Sequence, residues 1–155
     1  MNILVSACLI GVSCRYDGTG KLNEGMQELS KKHNLIPVCP EIFGGLSTPR
    51  TPAEICNGSV MTKDGTDVTS EYTKGAEEVL KLARFYNCSI VILKERSPSC
   101  GYGKIYDGTF TSQLIDGSGI TAKMLAEEGV EVLGESTWKE RIGNFTESND
   151  GALCD

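Results

Sequence analysis

The chain has 155 residues, 39% hydrophobic and 23% charged, which fits one domain with a core of its own. Its net charge of -6 argues against an extended nucleic-acid surface, because non-specific affinity for phosphates comes from lysine and arginine. No apolar run approaches the roughly 18 residues of a spanning helix. Met1-Asn2-Ile3-Leu4-Val5 carries no basic segment ahead of its apolar run, so neither a membrane anchor nor a signal peptide is expected, and the protein is expected in the cytoplasm.

In chain order, Ile3-Leu4-Val5-Ser6-Ala7-Cys8 reads as a first strand over residues 2–8. A loop containing Cys14, Arg15 and the turn signal Asp17-Gly18 follows. Asn23 is a good N-cap, and Met26 and Leu29 continue a helical spacing from Leu22, which predicts a helix over residues 23–32. The second strand, residues 35–39, ends at Cys39. Strand, helix and strand with short connections predict a parallel pair with a right-handed crossover.

Residues 40–68 hold Pro40, Gly44-Gly45, Pro49, Pro52, Asn57-Gly58 and Asp64-Gly65 and read as irregular, apart from a hairpin pairing residues 59–62 with 67–69. The strongest helix runs over residues 69–87, capped by Thr69 or Ser70, with Tyr72, Ala76, Val79, Leu80 and Ala83 as its apolar stripe. A third strand at 89–94 leads into Lys94-Glu95-Arg96-Ser97-Pro98-Ser99-Cys100-Gly101, a turn carrying a thiol and two hydroxyls. Residues 104–110 form another turn. Gly117-Ser118-Gly119 opens a helix over 120–128, and 130–133 is a fourth strand. Trp138 and the residues after it read as weak helix or coil and then a frayed tail. The class is therefore α/β: a small, open, mostly parallel, Rossmann-like sheet flanked by helices, with cysteines at the C-terminal strand edge where ligands bind.

There are 7 cysteines, many for a chain expected in a reducing compartment, where metal or catalytic use is favoured over disulfides. Cys8, Cys39 and Cys100 share one context, each ending or following a strand. No C-x-x-C pair occurs, and the single histidine, His33, lies in a polar helix end, so the spacing of a structural zinc site is absent. Two readings stay open on pattern alone. The three are inert buried thiols, or they hold a centre with one open position, such as an iron–sulfur cluster whose free iron is a Lewis acid. Cys88 reads as core, Cys56 and Cys154 as incidental. Cys14 lies near enough to Cys8 to approach the same edge.

The segments Val5-Ser6-Ala7-Cys8-Leu9-Ile10-Gly11, Arg15-Tyr16-Asp17-Gly18, Pro37-Val38-Cys39-Pro40-Glu41, residues 45–50, residues 93–101 and Tyr106-Asp107-Gly108-Thr109-Phe110 resemble those of the thiouracil desulfidase family, over most of the chain. The resemblance implies a small α/β domain with a 4Fe-4S cluster on three cysteines, matching Cys8, Cys39 and Cys100, that removes sulfur from thiolated uracils by a non-redox route. Larger relatives acting on thiolated tRNA carry an extra domain. A chain of this length is expected to lack it and to take a small thiolated pyrimidine as free base, nucleoside or nucleotide. Oligomeric state is not legible.

In that context the reaction is hydrolysis of a thiocarbonyl with release of hydrosulfide. Glu41, anchored beside Cys39 near a glycine-rich apolar wall, is the candidate base for water. Ser97 and Ser99 are candidate proton donors, although both also suit turn-stabilising roles. Arg15 and Arg50 are candidates for binding a phosphate or uracil oxygen, Tyr16 for stacking on the base, and Gly44 and Gly45 for close backbone approach to the cluster. The competing readings are a non-catalytic iron–sulfur or zinc redox module, a desulfidase acting on thiouridine in tRNA, and a thiol enzyme using Cys100 without a metal. The scarcity of histidine argues against the last.

Overall fold

In the computed structural model, which describes residues 1–143, a four-stranded parallel sheet in the order β2-β1-β5-β8 forms the centre. Its strands are β1 (Asn2–Ser6), β2 (Asn34–Val38), β5 (Ile90–Leu93) and β8 (Glu131–Gly134). The central strands are covered on both faces, so they read as unbroken apolar runs rather than alternating ones: Ile3, Leu4, Val5 and all of β5 are buried. Pro37 pairs with Val5 yet is tolerated, because β2 is an edge strand and needs no ladder donor on its free side.

One face packs Met26 and Leu29 of α1 (Met26–Ser30) with Trp138 and Ile142. The other packs Val79, Leu80 and Ala83 of α3 (Thr69–Phe85) with Ala122 and Leu125 of α4 (Ile120–Glu127). A short helix, α2 (Pro40–Phe43), follows β2 directly. Outside the sheet stand two antiparallel hairpins, β3 (Ala53–Cys56) with β4 (Ser59–Thr62), and β6 (Tyr102–Tyr106) with β7 (Leu114–Ser118). Among the described residues no helix is long and apolar enough to cross a membrane.

Several expectations are corrected. The first strand stops at Ser6, because Ala7–Leu9 wind into a 3-10 turn. Asn23 does not cap α1: its Oδ1 accepts the Trp138 indole N–H at 2.8 Å, and the helix begins behind Gly25. Trp138 is buried in the core, and the weak helix expected there is a π-helical turn at Lys139–Gly143. At α3 the first amide of Thr69 is accepted by Asp67 Oδ1 at 2.9 Å, while the Thr69 hydroxyl takes the amide of Val60. Residues 59–62 do form a hairpin arm, but their partner is Ala53–Cys56 across Asn57-Gly58. Pairing with 67–69 survives as one bridge, Met61 to Asp67. The β6–β7 hairpin replaces what reads in sequence as a turn. The expected frayed tail and Cys154 lie outside the described residues.

Candidate active site

Beyond the carboxyl ends of β1, β2 and β5 lies a cleft of about 900 Å³. Cys8, Cys39 and Cys100 all line it, and so does Cys14. Each is placed by a different local device. Cys8 sits in the 3-10 turn after β1, and Cys39 is the extended residue between β2 and α2. Cys100 sits in a turn closed by Ser97, whose Oγ accepts the amides of Ser99 and Cys100, both at 3.0 Å. The same turn is fastened to the start of α4, where Thr121 N–H donates to the Ser99 carbonyl at 2.9 Å. Cys56 and Cys88 do not line the cleft.

Cys14, Cys39 and Cys100 are held in their neutral form. Burial pushes Cys100 up to about 12, further raised by the Glu41 charge. Cys39 is pushed far up, first by its hydrogen bond to Cys14 and then by burial. For Cys14 the bond to Cys39 pulls downward, but the bond to Cys8 and burial outweigh it and leave the thiol raised. Among the described residues no three His, Cys, Asp or Glu side chains converge on the position of a single ion.

Glu41 owes its position to two glycines. A Cβ on Gly75 would stand 1.8 Å from the Pro40 carbonyl oxygen, and one on Gly44 would stand 2.0 Å from that of Glu71, so α2 meets α3 backbone to backbone. This contact sets the carboxylate against the Tyr72 hydroxyl, which donates to Oε1 at 2.5 Å, while Arg50 Nε donates to the same oxygen at 3.3 Å. The surroundings of Glu41 are thus polar and charged, not the apolar glycine wall expected. Among the described residues Oε2 has no hydrogen-bond partner, and since no unpartnered side-chain oxygen is buried among them, Oε2 is not fully buried.

Several candidates change place. Arg50, whose side chain is 7% exposed, is engaged by Glu41, the Cys14 carbonyl at 2.9 Å, the Ser47 carbonyl and Thr48 Oγ1. It braces the cysteine loop and the carboxylate instead of presenting a free fork. Ser99 is 0% exposed, its hydroxyl bonded to Thr121 Oγ1 at 2.9 Å, and it does not line the cleft, whereas Ser97 does. Gly44 and Gly45 are not on the cleft. Arg15 and Tyr16 do line it, and among the described residues Arg15 has no salt bridge or side-chain hydrogen bond. Sequence reasoning misses Tyr72: it sits in the apolar stripe of α3, and only the rule that a buried tyrosine hydroxyl needs a partner singles it out. Burial and the Glu41 charge raise its hydroxyl well above the ordinary tyrosine value, so it is a committed donor.

A family model described as 2-thiouracil desulfurase matches residues 3–137 of the sequence. The chain belongs to the 2-thiouracil desulfurase family. It is 45% identical over 144 residues to YbbK, an uncharacterised protein of Bacillus subtilis (strain 168), covering 86% of this chain and 95% of YbbK. Among solved structures it matches the [4Fe-4S]-dependent thiouracil desulfidase TudS with a TM-score of 0.83 and 42% identity, covering 87% of this chain and 91% of that one. The α/β fold with its four-stranded parallel sheet is thus the fold of TudS.

Proposed function

We propose that this desulfurase-family protein hydrolyses the thiocarbonyl of a thiolated uracil compound, C=S + H2O giving C=O and hydrosulfide with a proton, at a 4Fe-4S cluster held by Cys8, Cys39 and Cys100. The observation that carries the reading is the placement of these three strand-end thiols on one cleft with Glu41, in a chain 42% identical to a [4Fe-4S]-dependent thiouracil desulfidase.

The donor set fits that cluster. It is sulfur only, the soft ligand that iron–sulfur centres take. Thiols bind metal as thiolates and release their protons, so loading is expected to weaken at low pH. When bound, the cluster supplies a Lewis-acidic iron without a protein ligand.

The remaining chemistry rests on side chains. Glu41 Oε2 takes a proton from the attacking water, while Tyr72 and Arg50 fix Oε1 and so fix which oxygen faces the cleft. Ser97 Oγ accepts two amides, which leaves its own proton free to be donated to the departing sulfur or the ring. Ser99 braces the turn. A free pyrimidine fills only part of a cleft of about 900 Å³. Arg15, Lys63 and Arg96 also line it without a salt bridge or side-chain hydrogen bond among the described residues, which supports a 5′-phosphorylated thiouridine as substrate.

Anaerobic reconstitution with iron and sulfide tests the proposal. It expects ~4 irons per chain with visible absorption, and hydrosulfide release from 2-thiouracil or thiouridine monophosphate. Iron uptake without hydrosulfide release from any thiopyrimidine would leave a non-catalytic iron–sulfur module. No uptake would remove the desulfurase reading altogether.

A further inference from the structure

The loop of the β6–β7 hairpin is built with a care that its exposure does not explain. Gly108 N–H and Phe110 N–H both donate to one oxygen, Glu54 Oε1, at 3.0 and 3.1 Å. Glu54 is only 8% exposed and comes from the other hairpin, on β3. Gly108 is irreplaceable here: its φ is 92°, and a Cβ would stand 2.7 Å from the Ile55 carbonyl oxygen. Asp107 Oδ1 accepts the Thr109 amide at 2.9 Å and its hydroxyl at 2.6 Å. The loop is therefore fastened to β3, and within it Phe110 takes φ 59°, a left-handed conformation that bulky residues rarely adopt and that persists only where surroundings impose it.

What the clamp secures is an aromatic side chain outside the core. Phe110 belongs to none of the three buried hydrophobic clusters, and it lines the cleft shared by the cysteines and Glu41. The hairpin that carries it starts at Tyr102, two residues past Cys100, and Ile105 is bridged to Arg96 of the cysteine turn, so the platform and the reactive loop are covalent neighbours. A planar pyrimidine offers two π-faces, and aromatic rings are the general means of holding such a face.

We propose that Phe110 is the stacking platform for the pyrimidine ring of the substrate, and that Glu54 is the positioning residue that holds it there. The proposal rests on the desulfurase reading and adds a binding role that the cysteines, Glu41 and Ser97 do not supply. Glu54 lines the same cleft, with its Oε1 committed to the loop. It acts through two backbone amides, and because both fall on one oxygen, a glutamine at this position keeps an acceptor for both.

The experiment uses the reconstituted holoenzyme. It measures uracil binding by isothermal titration calorimetry, KM and kcat for 2-thiouracil, and cluster content by visible absorption. Phe110→Ala is expected to raise the uracil Kd and the 2-thiouracil KM by about 5- to 150-fold, the span of one base–aromatic contact, with kcat and absorption little changed. Phe110→Tyr should restore binding. Phe110→Leu should restore little, since it returns bulk without a π-face. Glu54→Ala should raise KM in the same direction and add nothing to Phe110→Ala in the double variant, while Glu54→Gln stays close to wild type.

Unchanged uracil binding in Phe110→Ala at full cluster content overturns the platform. So does a Phe110→Leu variant equal to wild type, which also decides the matter should Phe110→Ala fail to fold. Additive effects in the double variant overturn the role of Glu54. A wild-type holoenzyme that neither binds uracil nor releases hydrosulfide overturns the desulfurase reading instead.

Discussion

The cysteine side of the cleft hangs from the parallel sheet, whose strands β1 and β5 are buried on both faces, whereas the hairpin side rests on a small apolar cluster around Val60 and Tyr72 and on polar contacts. Cys8 and Cys100 follow strands buried in the core, Cys39 follows the edge strand β2 at its one buried residue, Val38, and Glu41 stands on a helix pressed to α3 through two glycines. The β3–β4 hairpin buries Val60 against Tyr72, while the β6–β7 hairpin has Tyr102, Leu114 and Ile115 exposed and its loop is held by Glu54 and Asp107. Hydrophobic burial is non-directional but large in sum, and it holds a frame stiffly. Individual hydrogen bonds are worth about 0.5–1.5 kcal/mol each, and they define local shape without demanding a large core. Chemistry that depends on the spacing of cysteines to a cluster belongs on the first kind of support, and selection among related substrates belongs on the second.

That contrast is broken or sharpened by substitution. The largest effect is expected from Cys8→Ala, Cys39→Ala and Cys100→Ala, each losing the visible absorption and the bound iron of the reconstituted protein. Cys14→Ser should retain both, and its loss of iron would put a fourth thiol in the ligand set. Glu41→Gln should lower kcat by ~10²–10⁴-fold at unchanged iron content, measured by hydrosulfide release. A rise confined to KM would move Glu41 to the binding side of the comparison.

The two serines give a smaller, divided effect. Ser97→Ala should depress turnover by about 10²-fold. Ser99→Ala leaves the Thr121 hydroxyl unpaired, so it should cost about 1–3 kcal/mol in thermal stability and leave turnover intact. In the metal-free protein, the Cys100 value of about 12 lies above the ordinary 9.0 of a thiol. Its neutral form therefore contributes stability that is fully present below pH 9.0 and lost as the pH rises toward about 12. The melting temperature of the metal-free chain should fall over that window, and Cys100→Ala should flatten the fall. Lys63→Ala, on the hairpin side, should raise KM for thiouridine monophosphate by roughly 2- to 5-fold and leave that for free 2-thiouracil unchanged, the scale of one exposed charge contact.

Legibility divides along the same line. The apolar runs of β1 and β5, the stripe of α3 and the Cys39-Pro40-Glu41 step are all readable, since period and punctuation carry them. The β6–β7 hairpin is not, because Leu114 to Ser118 is mostly exposed, has no clean alternation and ends in two small residues before α4. Asn23 resembles a cap because a cap and an acceptor for a distant indole use the same side chain, and their choice is made by Trp138, 115 residues away. Ser97 and Ser99 are indistinguishable in sequence for a related reason: two positions apart in one turn, they point to different partners only once α4 brings Thr121 alongside.

The sequence by itself determined a parallel α/β frame and the three strand-end cysteines, because buried strands and their stopping points are local properties of composition and period. It also carried the family likeness that the match over residues 3–137 established. Only the tertiary structure decided which polar groups are free. Arg50 turned out to be a brace for Glu41 and the Cys14 loop, Ser99 a buried strut, and Glu54 a clamp for Phe110. A side chain's chemistry is written in its residue type, but whether that chemistry is available depends on what the folded chain places within hydrogen-bonding reach, and each of these partners comes from a segment remote in sequence or from a turn whose shape the core imposes.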